Sequence, residues 1–321
     1  MSEAMTSVFL DRASVDQGDL DFGALDAELP GMASFDGTPA ELTRERIADA
    51  EVVISNKVVV DADAIAASPR LKLVVIAATG TNNVDLDAAA RHGIAVCNVR
   101  DYATSSVAQH VFALVLALAR SIGPYGAAVK DGRWNQSPFF CLLDYPIVDL
   151  EGLTLGIVGH GVLGSAVARL GEAFGMKIIV GARPGAPTAN GRVALPELFS
   201  TADVVSLHCP LTDETRGLVG REELAMMKPT AIIINTARGG IIDETALLDA
   251  LAAGEIGGAG VDVLCTEPPD GSSPLPCADL PNLIVTPHIA WASRRCRQVL
   301  VDQVTEIVRA FKRGEAINRV A

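Results

Sequence analysis

The chain has 321 residues, enough for two medium-sized domains with a core in each. Nearly half are apolar (49%) and a fifth are charged (20%), the composition of a globular protein. A net charge of −13 excludes sequence-wide attraction to phosphate backbones or anionic membranes, so neither nucleic acid nor a membrane is expected as a partner.

The opening "MSEAMTSVFLDRASVD" carries early acids and only a three-residue apolar stretch, which does not read as a signal peptide. Strands are expected near Val8–Leu10, Val52–Ser55, Leu73–Ala77 and Ile94–Asn98. Helical stretches such as "TPAELTRERIADA" and "NVDLDAAARHG" separate them, the second with an Asn/Asp start and a Gly stop. This alternation is the mark of parallel α/β units. A long helix, "SSVAQHVFALVLALARSI", follows from Ser105 and is expected to end at Gly123-Pro124. Its apolar run "VFALVLALA" is about half of what a membrane-spanning helix needs, so it reads as a buried helix. Residues 124–152 read as an irregular, aromatic arm, too long for an ordinary connection.

A second α/β series opens at Leu153, with strands expected at Leu153–Val158, Lys177–Val180, Asp203–His208, Ala231–Asn235, Gly260–Leu264 and Leu283–Thr286. A last helix, "WASRRCRQVLVDQVTEIVRAFKRG", closes the chain. The six cysteines (97, 141, 209, 265, 277 and 296) are scattered, without CxxC pairs or histidines at ligand spacing. That argues against a metal site and a disulfide framework, and fits a reducing cytoplasm.

Between the first strand and helix of the second series lies "GHGVLG": Gly159, His160, Gly161, Val162, Leu163, Gly164. Glycines at G-x-G-x-x-G spacing allow a tight turn, close approach of backbone to a pyrophosphate, and close helix–strand packing. In that frame the ribose-recognition position falls at Ala182, at the end of the next strand. A carboxylate there would bind both ribose hydroxyls and repel a 2′-phosphate. Ala182 removes the repulsion, and Arg183 offers a guanidinium suited to phosphate, so NADP is the expected preference with NAD also possible.

Three later strand ends carry chemistry. "INTARGG" places Arg238 after a buried strand, "VDVLCTEPP" places Glu267 in a loop after another, and "VTPHIAW" places His288 as a third strand ends. In an open parallel sheet such loops face the ligand crevice. Arginine can grip the carboxylate of a 2-oxo acid and polarise its carbonyl, histidine can protonate that oxygen, and glutamate can orient the imidazole.

With "LHCPLTDETRGLVG", "MKPTAIIINTARGGIIDETAL", "GGAGVDVLCTEPP" and "NLIVTPHIAW", the chain resembles the D-isomer-specific 2-hydroxyacid dehydrogenases over nearly its whole length. Within that family "SSVAQHVFALVLALAR" and "TPHIAWASRRCRQ" are most similar to the glycerate dehydrogenase or hydroxypyruvate reductase branch. The resemblance implies Arg238, Glu267 and His288 as the catalytic trio. It also implies substrate carboxylate contacts from the Thr79 and Gly80 amides of "AATGTNNVD", and cofactor contacts from Pro210, Thr236, Ala237 and Asp262. It implies an α/β fold of two domains, each a parallel sheet flanked by helices. A flavodoxin-like substrate domain (1–102 and 291–321) would be interrupted by a Rossmann cofactor domain (103–290), with the substrate in the cleft between them. It further implies a homodimer made by the helix and arm at about 105–150. Dehydrogenases for lactate, phosphite or bulky aromatic 2-oxo acids share the pattern, as do nucleotide-sensing corepressors of this fold.

Overall fold

The computed structural model describes residues 5–185 and 188–321, which form two compact units. One holds the chain up to Ala103 together with Ala292–Ala321, and the other is Thr104–Trp291.

The first unit opens with strands and short helices in alternation: β1 (Ser7–Phe9), α1 (Gly23–Glu28), β2 (Ala33–Ser34), α2 (Ala40–Ile47), β3 (Val52–Ser55), α3 (Ala62–Ala66), β4 (Leu73–Ile76), α4 (Leu86–Arg91) and β5 (Ala95–Asn98). The sheet runs β2-β1-β3-β4-β5, all parallel. Val52, Val53 and Ile54 in β3, and all of Leu73–Ile76 in β4, are buried, as strands covered on both faces must be. Asp61 and Asp85 cap α3 and α4 by accepting the N–H of Ala64 and Ala88 at 2.8 Å. The exposed two-residue strand β2 was not foreseen, because "AS" carries no apolar pattern.

The second unit begins with α5 (Thr104–Ala119) and α6 (Ile122–Lys130). The single helix expected up to Gly123-Pro124 is thus broken three residues early, at Arg120-Ser121, where Ser121 is left-handed (φ 49°). The helices meet at a bend of 58°, and no single helix among the described residues is long and apolar enough to cross a membrane. Pro124 lies in the first turn of α6, where its missing N–H is not needed; the proline opens a helix instead of ending one.

The unit continues with β6 (Thr154–Val158), α7 (Val162–Ala173), β7 (Lys177–Val180), α8 (Leu195–Thr201), β8 (Val204–Leu207), α9 (Arg221–Met226), β9 (Ile232–Asn235), α10 (Glu244–Ala253), β10 (Gly258–Val261) and β11 (Leu283–Val285). Strand β10 lies slightly N-terminal to the expected Gly260–Leu264, and Leu264 belongs to the loop beyond it. This sheet is also parallel, ordered β11-β10-β9-β8-β6-β7. Sequence order reverses at β6, with β7 on one side and β8 on the other, the place where such sheets open a ligand crevice. Helix α5 packs on β9, β10 and α7, and its Phe112 stacks on Phe174 with ring centroids 5.1 Å apart.

The chain returns to the first unit with α11 (Arg294–Lys312), capped by Ser293. Its tail then pairs antiparallel with β5, Val320 N–H donating to Val96 O at 2.8 Å and Asn98 N–H to Asn318 O at 3.2 Å. The tail therefore covers an otherwise open sheet edge.

Candidate active site

The glycine turn lies between β6 and α7, at the reversal point. Gly159 is left-handed (φ 93°), and a Cβ there would stand 2.6 Å from the Cys209 nitrogen. A Cβ on Gly164 would stand 2.1 Å from Gly159 O. Both glycines are required by the protein's own packing. Gly161 is different, since a Cβ would meet nothing within 4 Å. It is the N-cap of α7, and no side chain caps the helix. Open space against uncapped helix amides is a cradle for a phosphate group. His160 and Val162 are exposed, and Leu163 is half-buried.

Two polar atoms nearby are buried without a partner among the described residues: Nδ1 of His208, just beyond β8, and Oγ1 of Thr236, just beyond β9. His208 is paired through Nε2 with Ser206 Oγ at 2.8 Å, and burial pushes its pKa down to about 4. The residue as a whole is half-buried, but its Nδ1 is covered. Unpartnered polar atoms at the same end of this parallel sheet as the open cradle fit a polar ligand such as a dinucleotide. Pro210 is exposed, and its carbonyl accepts the Thr215 hydroxyl at 2.6 Å.

At the end of β7, Ala182 is buried and its N–H donates to Val193 O at 2.8 Å, while Arg183 is exposed. A second guanidinium, not foreseen, reaches the same strand end: Arg192 Nη1 donates to Gly181 O at 3.2 Å. No acidic side chain occupies position 182, so two arginines belong to the segment where a ribose carboxylate would otherwise be expected.

The three chemistry-bearing loops meet one another within this unit. Glu267 Oε2 accepts from His288 Nδ1 at 2.6 Å, and Glu267 Oε1 accepts the Leu264 N–H at 2.8 Å. The carboxylate thus orients the imidazole while its own loop is closed on it. Arg238 is brought to the same loop by backbone contact. A Cβ on its neighbour Gly239 would lie 1.9 Å from Leu264 O and 2.5 Å from the Cys265 nitrogen. Arg238 is exposed, with Nη1 donating to Ala237 O at 2.7 Å.

Behind these side chains are residues whose part the sequence reading missed or did not specify. Buried Asn235 accepts the Ala237 N–H at 3.0 Å and donates to Arg238 O at 2.9 Å, stapling the arginine turn. A polar residue ending the run "AIIIN" was the available signal. Asp262, expected as a cofactor contact, is buried; its carboxylate accepts the N–H groups of Ile289 and Ala290, each at 2.9 Å, and the Thr286 hydroxyl at 2.5 Å. Thr79 and Gly80 follow β4 in the other unit. There Thr79 O accepts from the buried Asn98 side chain at 2.7 Å.

Comparison with known proteins adds independent findings. Residues 112–290 match the family model "D-isomer specific 2-hydroxyacid dehydrogenase, NAD binding domain". The glycerate dehydrogenase of Methylorubrum extorquens is 47% identical over 313 residues, covering 98% of each chain. A protein of Thermus thermophilus superposes with a TM-score of 0.86 at 35% identity, over 99% of this chain and 100% of that one. The NADPH-dependent glyoxylate/hydroxypyruvate reductase of Sinorhizobium meliloti, solved with NADP and malonate, superposes with a TM-score of 0.81 at 29% identity, over 99% and 97% of the two chains.

Proposed function

This chain belongs to the D-isomer-specific 2-hydroxyacid dehydrogenases, and from that premise we propose that it reduces a small 2-oxo acid, hydroxypyruvate or glyoxylate, to D-glycerate or glycolate. The observation that carries the reading is the hydrogen-bonded His288–Glu267 pair, with the Arg238 turn pressed against the same loop, in the unit that holds the glycine cradle. A bound nicotinamide cofactor supplies hydride for reduction and accepts it in the reverse direction.

The chain's own residues do the rest. Arg238 exchanges its bond to Ala237 O for the substrate carboxylate and draws electron density from the carbonyl. The Thr79 and Gly80 amides are proposed as further carboxylate donors. With Nδ1–H held by Glu267, His288 gives its Nε2 proton to the carbonyl oxygen, which becomes the hydroxyl of the product. Glu267 keeps the ring oriented through that bond.

The preferred cofactor in this proposal is NADPH. Ala182 supplies no charge to repel a 2′-phosphate, and Arg183 and Arg192 supply guanidinium groups to the same segment. The Sinorhizobium relative, named NADPH-dependent, supports the same choice. A panel of 2-oxo acids assayed with NADPH and NADH separately tests the whole reading. Hydroxypyruvate and glyoxylate should be turned over best, with NADPH favoured. Absence of turnover with every 2-oxo acid refutes the activity, and a preference for NADH refutes the cofactor assignment.

We further propose a homodimer joined through the arm that follows α5. The arm is tied internally: Tyr125 and Tyr145 pack edge to face at 5.1 Å, Trp134 Nε1 donates to Phe140 O at 2.9 Å, and Arg133 pairs with Asp144 at 2.5 Å. Yet Phe139, Phe140 and Leu143 are 73%, 90% and 78% exposed, an apolar surface that a second copy would bury.

A further inference from the structure

His288 has φ 53°, a left-handed backbone uncommon outside glycine, and one that costs energy unless the surroundings hold it. The hold is on the two residues that follow. Ile289 N–H donates to Asp262 Oδ1 and Ala290 N–H to Asp262 Oδ2, both at 2.9 Å. Asp262 is itself buried and takes a third bond, from the Thr286 hydroxyl, at 2.5 Å.

That third bond leads to a helix. Thr286 Oγ1 also lies 3.0 Å from His110 Nε2, on α5 and 176 residues away in sequence. A hydroxyl has one proton, and Thr286 gives it to Asp262. Its oxygen can therefore only accept from His110, which fixes the hydrogen on Nε2. The same nitrogen lies 3.5 Å from Asp262 Oδ1. The result is a directed chain: His110 N–H to Thr286 O–H to Asp262, whose carboxylate grips the amides after His288.

We propose that His110 is a positioning residue for His288. By fixing the Thr286 hydroxyl it keeps the Asp262 carboxylate aimed at the two amides that hold the left-handed turn, and so keeps the imidazole facing Glu267. The proposal rests on the reading of His288 as proton donor. Without the His110 N–H, the Thr286 hydroxyl is free to rotate and the end of β11 loses its tie to α5.

The test is a double-mutant cycle. His110→Leu removes the donor at similar volume, while His110→Gln keeps an N–H at comparable reach. His110→Leu should lower kcat about tenfold or more while the KM for the 2-oxo acid and the Kd for NADPH stay within about twofold. His110→Gln should recover most of kcat. In a His288→Ala background, adding His110→Leu should change the residual rate by less than about twofold. Equal fractional losses in both backgrounds, an unimpaired leucine variant, or a glutamine variant as poor as leucine would overturn the proposal. If the leucine variant does not fold, His110→Asn, whose amide falls short of Thr286, takes its place in the cycle.

A second readout needs no turnover. The chain has five histidines, so ¹³C-histidine NMR resolves each ring, with His288 assigned through His288→Ala. His110→Leu should broaden or split the His288 ring signal and leave the other three remaining histidines unmoved. An unperturbed His288 signal overturns the positioning role even if wild-type protein reduces no 2-oxo acid, an outcome that by itself would sink only the proposed function.

Discussion

At the scale of single residues, two histidines just beyond strand ends, His208 after β8 and His288 after β11, are held by different partners. His288 meets a carboxylate, which fixes the ring through Nδ1 and leaves Nε2 turned away from Glu267. His208 meets the Ser206 hydroxyl, and burial keeps it neutral down to about pH 4. His288→Ala should lower kcat by about 10²- to 10⁴-fold with NADPH binding nearly intact, as measured by fluorescence titration; retention of more than about a tenth of the rate would remove it as the general acid. His208 predicts a stability effect instead. The unfolded chain takes up a proton there near pH 6.5 and the folded chain only near 4, so folding loses stability as pH falls through that window. The slope approaches about 1.4 kcal/mol per pH unit at most. Urea midpoints between pH 6.5 and 4.5 should fall more steeply for wild type than for His208→Gln, and parallel lines would show that His208 does not titrate as described. The carboxylates Asp19, Glu28 and Glu51, lowered by their arginine and lysine partners, begin to lose their contribution only as pH falls through their ordinary values of 3.8 to 4.5, at the acid end of that window.

At the scale of elements, the strand-end loops work because backbones touch where side chains would not fit. Gly239 faces Leu264 and Cys265 too closely for any Cβ, and that contact brings the Arg238 turn to the Glu267 loop. Gly239→Ala must push the two loops apart, at a cost of about 1–3 kcal/mol as for other overpacked sites. It should therefore lower both the melting temperature and kcat/KM for the 2-oxo acid; a variant with wild-type kinetics would show that the Arg238 turn is not set by this contact. The arm beyond α5 is the element whose surface has no partner within its own unit's core. Phe140→Asp with Leu143→Asp should convert a dimer to a monomer in light scattering at micromolar concentration, and a wild-type protein that is already monomeric would refute the proposed interface. At the ribose end, Arg183→Ala and Arg192→Ala should each weaken 2′,5′-ADP binding about tenfold and leave 5′-ADP unchanged, measured by calorimetry. Equal loss with both ligands would assign the arginines to structure.

At the scale of the molecule, cofactor recognition and the proposed proton chemistry are built on one unit, Thr104–Trp291, while the first unit is assembled from both ends of the chain. Helix α11 is secured to the opening segment of that unit by Arg297 on Asp19 at 2.8 Å and Arg309 on Glu28 at 2.8 Å. A ligand that binds only the folded second unit stabilises it by mass action, about 2.7 kcal/mol at a hundredfold excess over Kd. Saturating NADPH should slow amide exchange at 159–164 and 236–238, and unchanged exchange at the glycine turn would mean that the cradle does not hold the cofactor.

How much of this was legible beforehand follows from what each feature depends on. The strands, the glycine turn and the strand-end positions of Arg238, Glu267 and His288 are properties of a few contiguous residues: apolar runs, glycine spacing, and a polar side chain where a buried run stops. The break before α6 was misread because Gly-Pro is compatible both with stopping a helix and with opening the next one, and only packing chooses. What no local pattern contains is the sheet order β11-β10-β9-β8-β6-β7. That order sets the backbone of Gly159 against His208-Cys209, the backbone of Gly239 against Leu264, and His110 of α5 against Thr286 at the end of β11. Sequence therefore determined which groups this protein has for its chemistry and at which strand ends they stand. Tertiary structure decided which of them touch, because hydrogen bonds and van der Waals contacts act over a few ångströms and are blind to separation along the chain.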